Sequence, residues 1–332
     1  MEKQDIIRKF LTKGIMLDEA MLNKLYNNPQ SIETTLENLS LGKTTQQPLI
    51  EVRPFSQYNR EEITPNSLIQ MLQQRYSKIQ NLIERQLPDN LISLNKISPN
   101  TSEFSLIVMI RENNGNTLVI EDSTGEATVS LSKELSDKAK FLVEDEIVGL
   151  VCKQEEGIQA EQIIWPDIPL VKEVTREEEK FCIFISNPQE TDYDKIKKIA
   201  DDKTLVFIFK QDGKIIFVND DSIIQDPSMV SIRKIKILFA NAMNYARLWN
   251  VSPETASLNL LKKRHLDPTF NPAKLAAQDT FFIEDIPDLF VCPTPGMPSL
   301  INYKGTTILS TGFPECWKVN LKTREAFKIN IT

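Results

Sequence analysis

Residues 281–312, FFIEDIPDLFVCPTPGMPSLINYKGTTILSTG, limit what this chain can fold into. Their apolar residues come in short runs bounded by Pro and Gly, a pattern that suits buried strands better than helices. Segments 281–284 and 288–292 read as strands, turned between them by Ile286-Pro287-Asp288. Segment 308–310 reads as a third strand, entered from Lys304-Gly305 and left at Thr311-Gly312. The loop Pro293-Thr294-Pro295-Gly296-Met297-Pro298 carries no good metal ligand or general base. Cys292 lies beside it with no histidine near in sequence to activate it.

That poverty of chemistry extends along the chain. A single histidine, His265, serves all 332 residues. Dinuclear phosphoesterase sites draw several imidazoles together with carboxylates, and Ser-His-Asp or Cys-His sites need at least one well-placed ring. Net charge is −7 and the pI about 5.1. Gripping phosphate backbones unaided favours a basic surface, so an acidic chain is a poor autonomous nucleic-acid binder. Cys152, Cys182, Cys292 and Cys316 are widely spaced and form no Cys-x-x-Cys pair, which points to a reducing cytoplasm and no structural zinc. No apolar run approaches a bilayer span, and the charged start MEKQDIIRKF is not a secretory signal. A cytoplasmic location without membrane contact is expected.

The length suits two or three domains. Residues 1–40 read as a helical module with stripes Ile6-Ile7-Phe10-Leu11, Leu17-Met21-Leu22-Leu25 and, after Ser31, Ile32-Leu36-Leu39. Residues 41–64 are polar, carry Pro48 and Pro54, and read as a linker. Residues 65–90 hold a connecting helix, with Gln70, Gln73, Gln74, Arg75 and Lys78 expected on its wet face. In 91–170 the period changes. Strands at 104–110, 117–121 and 126–131, a helix at 133–141, then strands at 146–152 and 158–164 follow the order of an OB-fold barrel. Such a barrel docks proteins or binds single strands. Phe104 is its main aromatic candidate for stacking, and Glu144-Asp145-Glu146 opposes a phosphate track. Residues 181–332 read as an α/β domain. Strands 181–186 and 205–209 flank a helix at 193–200 and are expected to pair in parallel. A hairpin strand at 214–218 follows, then helices at 233–248 and 253–264.

The segments Leu91-Ile92-Ser93-Leu94, Ile120-Glu121-Asp122-Ser123-Thr124-Gly125 and Ile163-Ile164-Trp165-Pro166-Asp167-Ile168-Pro169 carry a resemblance. So do Leu261-Lys262-Lys263-Arg264-His265-Leu266-Asp267-Pro268, Glu284-Asp285-Ile286-Pro287-Asp288-Leu289-Phe290, Tyr303-Lys304-Gly305 and 308–312. In order and spacing the chain resembles the small subunit of the archaeal family-D DNA polymerase, and more distantly the B subunits of eukaryotic replicative polymerases. The resemblance implies a multidomain α+β protein: helical module, linker, OB-fold β-barrel and a shortened, degenerate calcineurin-like phosphoesterase domain. It implies DNA replication as the process, the large catalytic subunit as partner, and DNA reached through that complex.

Departures from the family's pattern set the expected activity. Asn187-Pro188-Gln189 stand where active members carry Asp-x-His, Asn219-Asp220 where His-Gly is expected, and the Pro293–Pro298 loop where Gly-His-x-His is expected. His265 matches a family histidine that is not a metal ligand. No catalytic residue, resident metal or cofactor is expected. Carboxylates and water can still hold Mg²⁺, so Asp220, Asp221 and Asp288 are the remaining metal candidates, against an ordinary reading as turn residues. Lys262, Lys263, Arg264 and His265, together with Phe104, are the candidates for contact with nucleic acid or a partner. The expected function is a scaffolding accessory subunit. A 3′–5′ exonuclease subunit with a rebuilt metal site and a stand-alone OB-fold single-strand binder are the alternatives.

Overall fold

The structure, a computed structural model, describes residues 3–11, 22, 25, 26, 32, 36, 50–55, 64–170, 174–269 and 279–331. The chain forms two compact units, Met1–Glu51 and Val52–Thr332. In the smaller one, α1 (Lys3–Leu11) buries Ile6 and Phe10, one turn apart, among Leu25, Ile32 and Leu36. Ile7 is 36% exposed, so the inward face is narrower than its apolar sequence suggests. Leu17, Met21 and Leu39 fall outside the described residues.

Part of the expected linker is a strand, β1 (Ile50–Pro54), whose Val52–Pro54 portion belongs to the larger unit. Its alternation Ile50-Glu51-Val52-Arg53 is too brief to stand out from a polar stretch. Helix α2 (Pro65–Glu84) starts at a capping box. The Thr64 hydroxyl accepts from Ser67 N at 3.1 Å and the Ser67 hydroxyl accepts from Thr64 N at 3.0 Å. The helix buries Met71, Arg75, Ile79 and Ile83. Arg75 is not on the wet face expected for it. It falls one turn from both Met71 and Ile79 and meets a buried carboxylate, Asp279.

Strands β2 (Glu103–Asn113), β3 (Thr117–Asp122), β4 (Gly125–Leu131), β5 (Ile147–Gln154) and β6 (Ile158–Ile164) close into a barrel in the order β2-β3-β4-β6-β5. Helix α3 (Lys133–Ala139) lies between β4 and β5 in sequence and buries Leu135 and Ala139. Alternate β2 residues Phe104, Leu106, Val108 and Ile110 point into the core beside Leu118, Ile120, Val129 and Leu150. Helix α2 lies across the outside of the barrel, with Ile79 and Ile83 on Ile107 and Ile147.

Strand β7 (Phe181–Ser186), α4 (Tyr193–Lys197), β8 (Thr204–Phe209) and β9 (Lys214–Phe217) open the C-terminal half. After them come β10 (Ser222–Gln225), β11 (Ser228–Ile232), β12 (Ile235–Phe239), α5 (Met243–Trp249) and α6 (Pro253–Lys263). Strands β13 (Leu289–Pro293), β14 (Ser299–Tyr303), β15 (Thr306–Thr311), β16 (Glu315–Asn320) and β17 (Ala326–Asn330) complete it. Two six-stranded mixed sheets result, β1-β11-β12-β13-β15-β14 and β10-β9-β8-β7-β16-β17. Strands β7 and β8 pair in parallel, as do β12, β13 and β15. Phe184, Phe207 and Phe209 of one sheet meet Phe239 of the other, and Phe217 stacks on Phe207, with ring centroids in contact 4.9–5.9 Å apart. Leu261 of α6 covers Leu238, Phe290 and Ile308 on one outer face, and Ile196 of α4 covers Ile183, Ile185, Val206 and Ile208 on the other. Burial on both faces explains why these strands are continuously apolar.

The helix expected at 233–248 is instead β12 followed by α5. Ile235, Ile237, Leu238 and Phe239 are β-branched or bulky and buried in the sheet, and the Asp226 carboxylate accepts from Asn241 N (3.0 Å) where the strand ends. The strand expected at 281–284 is reduced to one bridge, Phe282 to His265. The chain is therefore an α+β protein with mixed sheets and few helices.

Candidate functional site at the barrel–sandwich junction

Ionisable residues gather where barrel, α2 and sandwich meet. Glu146 leads into β5, and Lys263 is the last residue of α6. Their side chains are 3% and 2% exposed, and the Lys263 ammonium donates to both carboxylate oxygens at 2.5 Å. Trp165 Nε1 donates to Glu146 Oε1 (2.8 Å), and Val143 N donates to Oε2 (3.1 Å). The Trp165 and Trp249 rings lie 5.7 and 5.5 Å from the ammonium. Burial pulls the Lys263 pKa down while Glu146 pulls it back. Val143 packs nearby among Ala242, Ala246, Trp249, Ala256 and Leu260, so apolar contact surrounds the ion pair.

A second buried group joins α2 to the segment after α6. Arg75 donates to Asp279 through Nε (2.9 Å) and Nη2 (3.4 Å), and through Nη1 to Pro268 O (3.1 Å). His265 Nε2 lies 2.9 and 3.1 Å from the two Asp279 oxygens, and its Nδ1 accepts from Asp267 N at 3.0 Å. An accepting Nδ1 places the ring proton on Nε2, facing the carboxylate. Burial lowers the His265 pKa against the pull of Asp279. Burial alone would raise Asp279, but His265 and Arg75 hold it well below the carboxylate range. A third anchor is Asp167, which accepts from Tyr303 Oη and Lys304 Nζ, each at 2.7 Å.

The residues singled out in the sequence are thereby placed. Phe104 is 1% exposed inside the barrel, where alternation turns it away from any stacking surface. Lys263, Arg264 and His265 are also buried, so the basic contact surface expected of them is absent from that position. Arg264 caps α6 at φ 55° and turns inward, donating through Nε to Ile283 O and through Nη2 to Glu284 O. Lys262 alone of the four is only half-buried, with its ammonium 5.1 Å from the Tyr303 ring centroid. Asp220 accepts from Ser222 N in the β9–β10 turn, and Asp221 pairs with Lys197 at 2.9 Å. Asp288 leads into β13 on the other sheet, 2% exposed, where it accepts from Lys236 N and faces Arg324. The three metal candidates are thus not brought together. Among the described residues, no group of three or more His, Cys, Asp or Glu side chains converges as a metal site.

At the carboxyl ends of β7, β13 and β15, where parallel strands present ligands, stand Asn187, Pro188, Thr294 and Gly312. Backbone bonds knit these ends together: Ser186 N to Gly312 O (3.1 Å), Asn187 N to Phe209 O (2.9 Å) and Thr294 N to Thr311 O (2.8 Å). Burial pushes the Cys292 thiol up to about 12, which leaves it protonated and unsuited to nucleophilic attack. His265 is 1% exposed, with Nε2 turned to Asp279. What the junction can do is hold two lobes in one geometry. Glu146, Arg75 and Asp279, which complete it, carry no sequence signal beyond their charge. Comparison with protein-family models gives no match, and comparison with curated proteins gives none either. Among the described residues, no helix is long and apolar enough to cross a membrane.

Proposed function

We propose that this chain is a non-catalytic accessory subunit of a family-D replicative DNA polymerase, a scaffold that docks the large catalytic subunit. The barrel order β2-β3-β4-β6-β5, with α3 between its third and fourth strands in sequence, supports an OB-fold. Two mixed sheets face to face, with helices on both outer faces, support a calcineurin-like phosphoesterase frame. The observation that carries the reading is that frame with no imidazole or carboxylate side chain at the ends of β7, β13 and β15, where Asn187, Pro188, Thr294 and Gly312 stand, together with a junction whose charges are spent on one another. Strand ends of this kind, on a frame joined to a barrel, suit presenting surface rather than cleaving bonds.

Co-expression with the family-D large subunit encoded in the same genome tests this. A stable complex through size exclusion is expected. A chain that elutes alone, with the large subunit folded and separate, overturns it.

A further inference from the structure

A groove of about 480 Å³ runs between α2 and the barrel, lined by Leu72, Tyr76, Met109, Glu121 and Asp122 among others. Ile69, 52% exposed, continues its apolar wall one turn earlier on α2, since residues 69, 72 and 76 share a helix face. The wall is rigid. Tyr76 is held by its hydroxyl, which donates to Ile107 O at 3.0 Å, and α2 is seated on the barrel through Ile79 and Ile83. The facing rim is acidic. Asp122 is fixed there by Leu94 N (2.8 Å) and Thr124 N (2.7 Å), and Glu126 sits opposite Glu121 in the β3–β4 ladder. Arg111 meets Glu121 at 3.2 Å but is shared with Asp145, at 3.3 Å. The basic residues of α2 are engaged elsewhere, Arg75 with Asp279 and Lys78 with Glu284.

An apolar helix flank facing a carboxylate rim complements one kind of occupant. We infer that this groove receives an amphipathic segment of the large catalytic subunit, with aliphatic or aromatic anchors at one-turn spacing bordered by Lys or Arg. The inference rests on the proposed function and assigns that docking its surface. Carboxylates on the rim are expected to speed association and make it salt-dependent.

The test uses the full chain with the family-D large subunit. The double variant Leu72→Glu/Met109→Glu is expected to weaken the complex by about tenfold or more, as loss of buried anchors does. Glu121→Lys/Glu126→Lys is expected to slow association and remove most of its salt dependence. Phe327→Glu, on the far edge strand β17 where Phe327 is 48% exposed, is expected to change nothing. Amide exchange on the wild-type complex is expected to show protection over 68–77 and at Met109, a readout independent of how the variants fold. No complex with the wild-type chain overturns the proposed function and this surface together. A wild-type complex that survives both double variants unchanged, with no protection over 68–77, overturns the groove and leaves the function standing. A homodimer of the chain alone that Leu72→Glu dissociates gives the groove to a second copy and also overturns the inference.

Discussion

At the scale of single residues, the buried charges decide stability. Lys263 and Glu146 are both withdrawn from water, and their side chains bond to each other and, from Glu146, to Trp165 and Val143. Lys263→Met strands a carboxylate inside the junction and is expected to cost about 3–5 kcal/mol, whereas Lys263→Met with Glu146→Gln is expected to recover much of that loss. Urea denaturation of the two variants checks the order. His265 gives the fold a pH dependence of definite sign. Its pKa is lowered from the ordinary 6.5, so the unfolded chain takes up a proton there before the native ring does. Its contribution is complete above that pH and drains away as pH falls through the depressed native value. Asp279, also lowered, adds a loss of the same sign below the ordinary 3.8. Melting temperature is therefore expected to fall from pH 7.5 to 5.5, and His265→Gln to flatten that slope. Lys262-Lys263-Arg264-His265 stands out in the sequence as a cationic cluster, but its direction does not. The left-handed turn at Arg264 sends the chain inward, and the ionic partners of Lys263 and His265 lie 117 and 14 residues away along the chain.

At the scale of elements, one close approach sets how α2 seats on the barrel. A methyl group added at Gly149 would stand 2.6 Å from Ile83 Cγ2 and 3.2 Å from Ile164 Cβ. Gly149→Ala is expected to destabilise the protein by about 1–3 kcal/mol through overpacking, and Gly149→Ala with Ile83→Ala, which removes the Cγ2 atom in the way, to cost less than the sum of the two single changes, both read from thermal unfolding. The barrel is largely legible in the amino-acid order because its strands alternate between a core and a wetter face. Phe104, Leu106, Val108 and Ile110 declare β2 by themselves. The run 233–248 is not legible in this way. Ile235–Phe239 is buried on both faces and loses its two-residue period, leaving nothing to separate it from the helix that follows. Short strands β10 and β17 leave no apolar pattern for the opposite reason, with most residues half-buried or exposed at a sheet edge. The candidate site is the least legible part, since its geometry is made by contacts between residues as distant as Arg75 and Asp279.

Taken as a whole, the larger unit joins barrel and sandwich through apolar and ionic contacts, so residues 52–332 are expected to unfold in urea as one transition. Two well-separated transitions would mean that the junction does not bind its lobes. On single-stranded DNA with Mn²⁺, the isolated chain is expected to show no 3′–5′ digestion, and a digestion that Asp288→Asn abolishes would return the exonuclease reading. The junction also carries its own optical reporter. The chain has three tryptophans, and two of them, Trp165 and Trp249, look onto the same ammonium, whereas Trp317 hydrogen-bonds to Ser310 O inside the sandwich. Trp317 is the one tryptophan between the sheets, where phenylalanine supplies the other ring contacts. Two of the three emitters stand at the seam between the lobes, so a spectral shift on adding a partner that persists in Trp317→Phe would register movement of that seam without any introduced label.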